Sequence, residues 1–404
     1  MYKVGIDKMA LYTSHYALPL QILAEARGVD PNKYRTGLGQ HMMAVSPPGE
    51  DIVTMAANAA IEVLKDVSSL DEIEMLLFAT ESGIDYSKAA GIYVHALLGL
   101  SPRCRVVELK QACYSATAGL QLALPYLREN PTKKVLLIAS DIARYGLGSS
   151  GESSQGCGAV AMLLSANPRL LALEPEYGVV TEHIMDFWRP HYLQEALVDG
   201  KYSSKMYLTL LEKAWQQYCL LSGRSLADHA FYCYHTPVPR LVEKAHQHLF
   251  KTQASIHHIE AGLLYNREIG NSYTAALYIC LASLLDNTSD DLAQKRIGFY
   301  SYGSGAVAEY FSGVIQPGYQ KMLHTAFHQQ LLAGRQILSY QEYVDFYQFK
   351  YTEDGSCQTM PSYRTGLFRL SQIEQHKRSY ERVPPCLSVV EGNDAPLMYK
   401  EAVR

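Results

Sequence analysis

The stretch Glu108-Leu109-Lys110-Gln111-Ala112-Cys113-Tyr114-Ser115-Ala116-Thr117-Ala118-Gly119-Leu120 decides how this chain is read. Just upstream, Cys104 to Leu109 alternates and is β-branched enough to predict a short buried strand. Downstream, the small residues 115–119 lead into Leu120-Gln121-Leu122-Ala123-Leu124, which predicts a closely packed helix. Cys113 is therefore expected on a strand-to-helix elbow, at a helix N-terminus. Unpaired backbone N–H groups and the positive end of the helix dipole favour a thiolate there, and can also bind an oxyanion. The competing reading is a small buried hydrophobe, the commoner fate of a cysteine in a reducing compartment.

The bulk properties narrow the class. At 404 residues, 48% hydrophobic and 19% charged, the chain is of ordinary globular composition, with room for two domains or one domain of two halves. A net charge of −4 gives no reason to expect nucleic acid or an anionic membrane as partner. Met1 to Asp7 runs directly into a strand-like stretch without a signal-peptide core, and no apolar run approaches the ~20 residues that span a bilayer. Eight cysteines occur without a CxxC pair, which argues against a zinc site and a secreted disulfide framework. A reduced, cytoplasmic protein is expected.

Strands and helices alternate outward from the elbow. Helices are predicted over 18–27, from an Asp51 cap through Leu64, over 86–98, 205–221 and 238–249, and from Gly270 onward. Strands are predicted at 73–80, 134–141, 159–164, 170–173, 231–234, 296–302 and 306–311, giving an α/β protein with a largely parallel sheet. The tail beyond about Gln341 is tyrosine-rich and polar and carries no chemical motif.

Three short matches suggest an internal duplication. Gly158-Ala159-Val160-Ala161 returns as Gly305-Ala306-Val307-Ala308, and Thr117-Ala118-Gly119-Leu120 returns nearly as Thr274-Ala275-Ala276-Leu277. Glu81, after Phe78-Ala79-Thr80, corresponds to His235 after Tyr232-Cys233-Tyr234. The offsets are 147, 157 and 154 residues, in the same chain order. Two α/β halves, 1–168 and 169–404, are expected to meet across a pseudo-twofold. Functional groups in open α/β sheets gather at the carboxyl ends of strands, which would place Glu81, Cys113, His235, Asn271 and Ser304 on one rim. Singly, each has an ordinary reading: a solvated strand-end carboxylate, a turn histidine, an N-cap, a turn serine. Five together point to acyl transfer followed by carbon–carbon bond formation.

At these residues the chain resembles the hydroxymethylglutaryl-CoA synthases of the bacterial mevalonate-pathway type, within the thiolase-fold superfamily. The resemblance runs from Gly5-Ile6-Asp7-Lys8 to about Gln320. It is carried by Ala24-Glu25-Ala26-Arg27, Thr80-Glu81-Ser82-Gly83-Ile84-Asp85, Ala112-Cys113-Tyr114-Ser115, Asp186-Phe187-Trp188-Arg189-Pro190, His235-Thr236-Pro237 and Tyr302-Gly303-Ser304-Gly305. It implies a thiolase-like fold of two duplicated halves layered α-β-α-β-α. It also implies a homodimer, small-molecule CoA thioesters as partners, and no metal or other cofactor.

Site roles follow from the same resemblance. Cys113 would take the acetyl group from acetyl-CoA, with the oxyanion held by backbone N–H groups of Cys113 and Ser304. Glu81, its pKa raised by apolar surroundings, would remove a proton from the acetyl methyl group. His235, as imidazolium, would anchor the ketone of acetoacetyl-CoA and protonate the alkoxide. Asn271 and Ser304 match positions that hold the acetoacetyl and thioester oxygens. Ser203, Lys244 and Arg240 match CoA contacts, Arg240 standing where the family usually has lysine. Asp30 and Lys33 border the adenine end, and Ser150 and Ser154 are further substrate contacts. Three rivals remain: a ketoacyl synthase of the Cys-His-Asn type, which needs no Glu81; a polyketide β-branching synthase acting on carrier-protein substrates; and a catalytically inactive acyl-CoA-binding scaffold.

Overall fold

The computed structural model describes residues 2–251 and 254–383. Cys386 and the rest of the tail beyond 383 lie outside the described residues. Nine strands form one sheet, in the order Phe231–Tyr234, Arg296–Gly303, Val307–Ile315, Leu171–Thr181, Val4–Tyr12, Cys157–Ala166, Lys134–Ile142, Ile73–Ala79 and Arg105–Leu109. Outward from the centre, each half runs first strand, last strand, penultimate strand, second strand. The pairing directions repeat as well. In each half the last strand is antiparallel to both neighbours, while the penultimate and second strands are parallel. The duplication suggested by short sequence matches is thus a duplication of topology.

The sheet is mixed, which corrects the largely parallel expectation. A periodicity reading sees buried strands but not their direction, and Cys157–Ala166 and Val307–Ile315 run against their neighbours. Within the sheet the halves join through three residue pairs, Val4–Leu173, Gly5–Ala172 and Ile6–Leu171. Gly5 is required at this seam, because a Cβ there would stand 2.1 Å from the carbonyl oxygen of Leu171.

Local chemistry explains the helices. Asp51 caps Ile52–Leu64, accepting from the amides of Val53 and Thr54 while its own amide donates to the Thr54 hydroxyl. That helix is buried on almost every side, as its Ala-rich sequence allows. Ser115–Glu129 and Ala276–Asn287 meet where the Thr117 hydroxyl lies 2.9 Å from the Tyr278 hydroxyl. Asp199 caps Gly200–Ser222 through the Tyr202 amide. Two elements depart from expectation. Arg105–Leu109 is a half-exposed edge strand rather than a buried one, and the strand beginning at Leu171 continues to Thr181 through Glu174 and Glu176. Those carboxylates are matched by Arg224 and Arg296, a compensation invisible to a hydrophobic pattern.

The described part of the tail, up to Val383, is attached to the first half. Ser339 caps the helix Tyr340–Gln348. Beyond it, Phe368–Glu374 and Lys377–Arg382 form a hairpin whose Arg378 and Tyr380 both reach Asp51 Oδ2, at 3.2 and 2.7 Å.

Candidate active site

The elbow forms as its sequence suggests, though by a strained route. Ala112 adopts φ +44°, a left-handed conformation unusual for a residue with a side chain, and the helix starts at Ser115. The Ser115 hydroxyl locks the turn, accepting from the Gln111 amide and donating to the Ala112 carbonyl. The second half presses directly onto this turn. A Cβ at Gly303 would lie 2.6 Å from both the Gln111 carbonyl and the Tyr114 amide, so only glycine fits at the end of that strand. Gln111 Nε2 also donates to the Ser304 carbonyl at 3.2 Å.

Cys113 and Glu81 are in contact: Cys113 Sγ donates to Glu81 Oε1 at 2.9 Å. Burial, reinforced by the nearby charge of Asp141, pushes the Glu81 carboxyl up to about 8. Burial and the adjacent Glu81 charge push the Cys113 thiol up as well. The N-terminal helix dipole was expected to favour a thiolate, but desolvation beside a carboxylate dominates. The two groups therefore titrate as a pair. Once the first proton leaves, the remaining one is shared across the 2.9 Å contact. Such a pair can supply both a sulfur nucleophile and a carboxylate base.

Two buried aspartates that the sequence reading gave no role hold this geometry. Asp141 Oδ1 accepts from the Thr80 hydroxyl at 2.8 Å and from the Glu81 and Ser82 amides at 2.9 Å each. Its Oδ2 accepts from the amide of Thr274 at 3.0 Å and from the Thr274 hydroxyl. One side chain thus joins the Glu81 strand end to the segment following Asn271. Asp186 accepts from the Gly305 amide at 2.9 Å, the Tyr302 hydroxyl at 2.7 Å and the Ser203 hydroxyl at 3.0 Å, fixing the Ser304 turn. Arg189 donates to the Glu81 carbonyl. A charge closing an otherwise apolar strand was the available signal for Asp141. Asp186 and Arg189 lay inside a motif quoted only as a family marker.

His235 extends its strand, donating its amide to the Tyr300 carbonyl at 2.8 Å and accepting the Tyr207 hydroxyl on its own carbonyl at 2.6 Å. The ring is 3% exposed, its Nδ1 has no hydrogen-bond partner, and burial lowers its pKa to about 3. It is a neutral imidazole in the unliganded protein, not the imidazolium expected. Asn271 is buried; its Oδ1 accepts from the Tyr273 amide, and its own amide donates to the Ser154 carbonyl at 3.0 Å.

The remaining sequence-derived contacts lie farther out. The Ser203 hydroxyl is engaged by Asp186, and that of Ser154 bonds the Gly151 carbonyl at 2.8 Å. Asp30, Lys33, Ser150, Arg240 and Lys244 are exposed. The Arg240 amide donates to the Leu38 carbonyl, and Asp30 and Lys33 precede that same turn, so these residues share one surface region. A cleft of about 2630 Å³ is lined by Glu81, Arg189 and Ser304 on one side and by Tyr347 and Tyr351 of the tail on the other. It does not include the Asp30–Arg240 region.

Comparison with known proteins fits this geometry. Residues 2–168 match the family model for the hydroxymethylglutaryl-coenzyme A synthase N terminal, and residues 252–382 match that for the C terminal. A hydroxymethylglutaryl-CoA synthase of Enterococcus faecalis is 43% identical over 346 residues, covering 84% of this chain and 90% of that protein. The polyketide biosynthesis 3-hydroxy-3-methylglutaryl-ACP synthase PksG of Bacillus subtilis is 35% identical over 370 residues, covering 85% and 87%. Among solved structures, an HMG-CoA synthase complexed with CoA superposes with a TM-score of 0.90 at 40% identity, covering 94% of this chain and all of that one. Family models matched over 2–168 and 252–382, with a relative 43% identical across 84% of the chain, place it in the hydroxymethylglutaryl-CoA synthase family.

Proposed function

We propose that the protein condenses acetyl-CoA with acetoacetyl-CoA and water to give (3S)-3-hydroxy-3-methylglutaryl-CoA and CoA, in the mevalonate route to isoprenoids. The observation that carries this reading is the 2.9 Å contact between Cys113 Sγ and Glu81 Oε1, within a chain of this family. Cys113 attacks the acetyl thioester, the pair's proton leaves with CoA, and backbone N–H groups of Cys113 and Ser304 receive the oxyanion. Glu81 then takes a proton from the acetyl methyl group, and the carbanion equivalent attacks the ketone carbon of acetoacetyl-CoA. His235 enters neutral, so it hydrogen-bonds the ketone oxygen through a ring N–H. The alkoxide takes up a proton through that ring N–H, balanced by the one Glu81 has taken. Water finally cleaves the Cys113 thioester. Asn271 and Ser304 orient the acyl oxygens, while Ser203, Lys244, Arg240 and Asp30 contact CoA and Ser154 borders the substrate. These steps need no metal or other cofactor.

The division of the chain at 168/169 and a cytoplasmic location belong to the same reading. No described helix is long and apolar enough to cross a membrane, and the seven described cysteines are free. A homodimer is the assembly that suits the molecule. The edge strand Arg105–Leu109 is paired on one side only, Val107 is 48% exposed, and Leu122 on the following helix is 64% exposed. A particle mass of 45.1 kDa alone at micromolar concentration would contradict it.

Intact-mass measurement after brief incubation with acetyl-CoA tests the function. Wild type gains one acetyl group, loses it on addition of acetoacetyl-CoA with release of product, and Cys113→Ser gains none. Acetylation only from an acetylated carrier protein would support the polyketide reading, in line with the 3-hydroxy-3-methylglutaryl-ACP synthase activity that PksG carries in its name. Acetylation from neither donor would leave a binding scaffold.

A further inference from the structure

Ser154 and Asn271 touch through their backbones, and the loop that carries Ser154 is held from outside the site. The contact leaves no slack. A Cβ on Gly270 would stand 2.0 Å from the Gln155 carbonyl oxygen, and one on Gly156 would stand 2.3 Å from the Ile269 carbonyl oxygen. With the Asn271 amide on the Ser154 carbonyl, the two segments move as one.

The loop's outer anchor is Glu152, which is 2% exposed. Its carboxylate takes a two-pronged bond from Arg27, Nε to Oε2 at 2.9 Å and Nη2 to Oε1 at 2.6 Å. The Gly148 amide donates to Oε2 at 2.8 Å and the Tyr343 hydroxyl to Oε1 at 3.1 Å. Tyr343 accepts in turn from Gln155 Nε2 at 2.9 Å, and Gln155 Oε1 accepts from the Tyr145 amide at 2.7 Å. Arg27 ends the helix Leu20–Arg27, and Tyr343 lies in the tail helix Tyr340–Gln348. Two distant chain segments therefore converge on one buried carboxylate in the Ser154 loop, each with a charge-assisted bond.

We propose that Arg27, Glu152 and Tyr343 form a clasp that positions Asn271 for the condensation step, without acting in acylation of Cys113. The separation is one of directness: the clasp meets Asn271 through the Ser154 carbonyl, and reaches Glu81 only beyond it, through Thr274 and Asp141. Cys113 is fixed by Ser115, Gln111 and Glu81, none of which bonds to the clasp. The proposal rests on the reading that Asn271 holds an acetoacetyl oxygen. It gives the tail a function that its sequence did not announce.

The test follows two steps in the full-length protein: Cys113 acetylation by acetyl-CoA, and product formation when acetoacetyl-CoA is added to the acetylated enzyme. Glu152→Gln keeps shape but removes the charge that holds Arg27. Its acetylation rate stays within about twofold of wild type, while condensation falls about tenfold and the KM for acetoacetyl-CoA rises, as a displacement of ~1 Å requires. Arg27→Lys keeps the charge but only one of the two bonds and shows a smaller loss in the same step. Tyr343→Phe does likewise and carries the test if Glu152→Gln does not fold. Equal losses in both steps, tracking a lowered melting temperature, or no loss in either, overturn the clasp. Wild type that is acetylated but makes no product overturns the functional reading and the clasp with it.

Discussion

At the end of its second strand, the first half carries Glu81 and the second half carries His235. His235 is buried and Glu81 half-buried; each strand runs parallel to the penultimate strand of its half, although Ile73–Ala79 also pairs with Arg105–Leu109 where Phe231–Tyr234 is a sheet edge; and both backbones are anchored by hydrogen bonds. Their protonation moves in opposite directions. The Glu81 carboxyl is pushed up to about 8 by burial and Asp141, whereas the His235 ring, with no charged group opposing its burial, falls to about 3. The same scaffold position thus yields a carboxyl that keeps its proton near neutrality and an imidazole that has shed one. The backbones repeat the comparison. Ala112 and Tyr273, with φ of +44° and +45°, each stand three residues before a helix, next to Cys113 in one half and two residues after Asn271 in the other. Duplication supplied the geometry, and divergence of the side chains on it divided the chemistry. In the proposed mechanism the first half holds the reacting pair, Cys113 and Glu81, and the second offers neutral groups to receive carbonyl oxygens.

This division can be broken most severely at Cys113. Cys113→Ser should lower turnover by at least about 10⁴-fold and abolish acetyl-enzyme, as intact mass would report. Glu81→Gln should lower condensation by about 10³-fold. It should still acetylate, because loss of the carboxylate charge lets the Cys113 pKa fall even as a proton acceptor is lost. His235→Asn should cost about 10²-fold, confined to steps after acetylation, read as single-turnover product formation. The pH dependence sharpens the same contrast. Glu81 acts as a base only when ionised, so condensation should rise with pH and level off above about 8. Stability should move in the same direction at His235, but in a lower pH window. Its folded pKa lies below the unfolded value, so the unfolded chain binds the extra proton as pH drops from about 6.5 towards 3. Wild type should lose stability across that window, and His235→Asn should lose less in denaturant titrations at pH 7 and pH 4. The smallest effect is expected at Asp141→Asn. Shape is kept, but one carboxylate oxygen becomes a donor facing donors. About 1–3 kcal/mol of stability should be lost in denaturant unfolding, with a modest fall in rate.

Much of this was legible in the sequence, for reasons that particular residues make plain. Buried strands such as Lys134–Ile142 and Ile73–Ala79 declare themselves by continuous apolar runs, and the Asp51 cap announces its helix. The Cys113 elbow is legible because small residues must follow a cysteine where another backbone packs closely. Strand direction was not legible, since Cys157–Ala166 reads the same either way. Nor were polar hubs assembled from distant segments. Asp141 meets Thr274 across 133 positions, and Glu152 meets Tyr343 across 191, separations that no local pattern encodes. The His235 protonation state was missed for a related cause: it depends on the absence of any partner around the ring, which only the folded chain reveals.

The central claim is that Glu81 and His235 act after Cys113 has been acylated. Rapid-quench measurement of acetyl-Cys113 and of product in Glu81→Gln and His235→Asn, beside wild type, tests it directly. Both variants should accumulate acetyl-enzyme from acetyl-CoA and hold it when acetoacetyl-CoA is added, whereas wild type discharges it into product. Failure of either variant to form acetyl-enzyme, with its fold intact by circular dichroism, would contradict the division of labour between the halves.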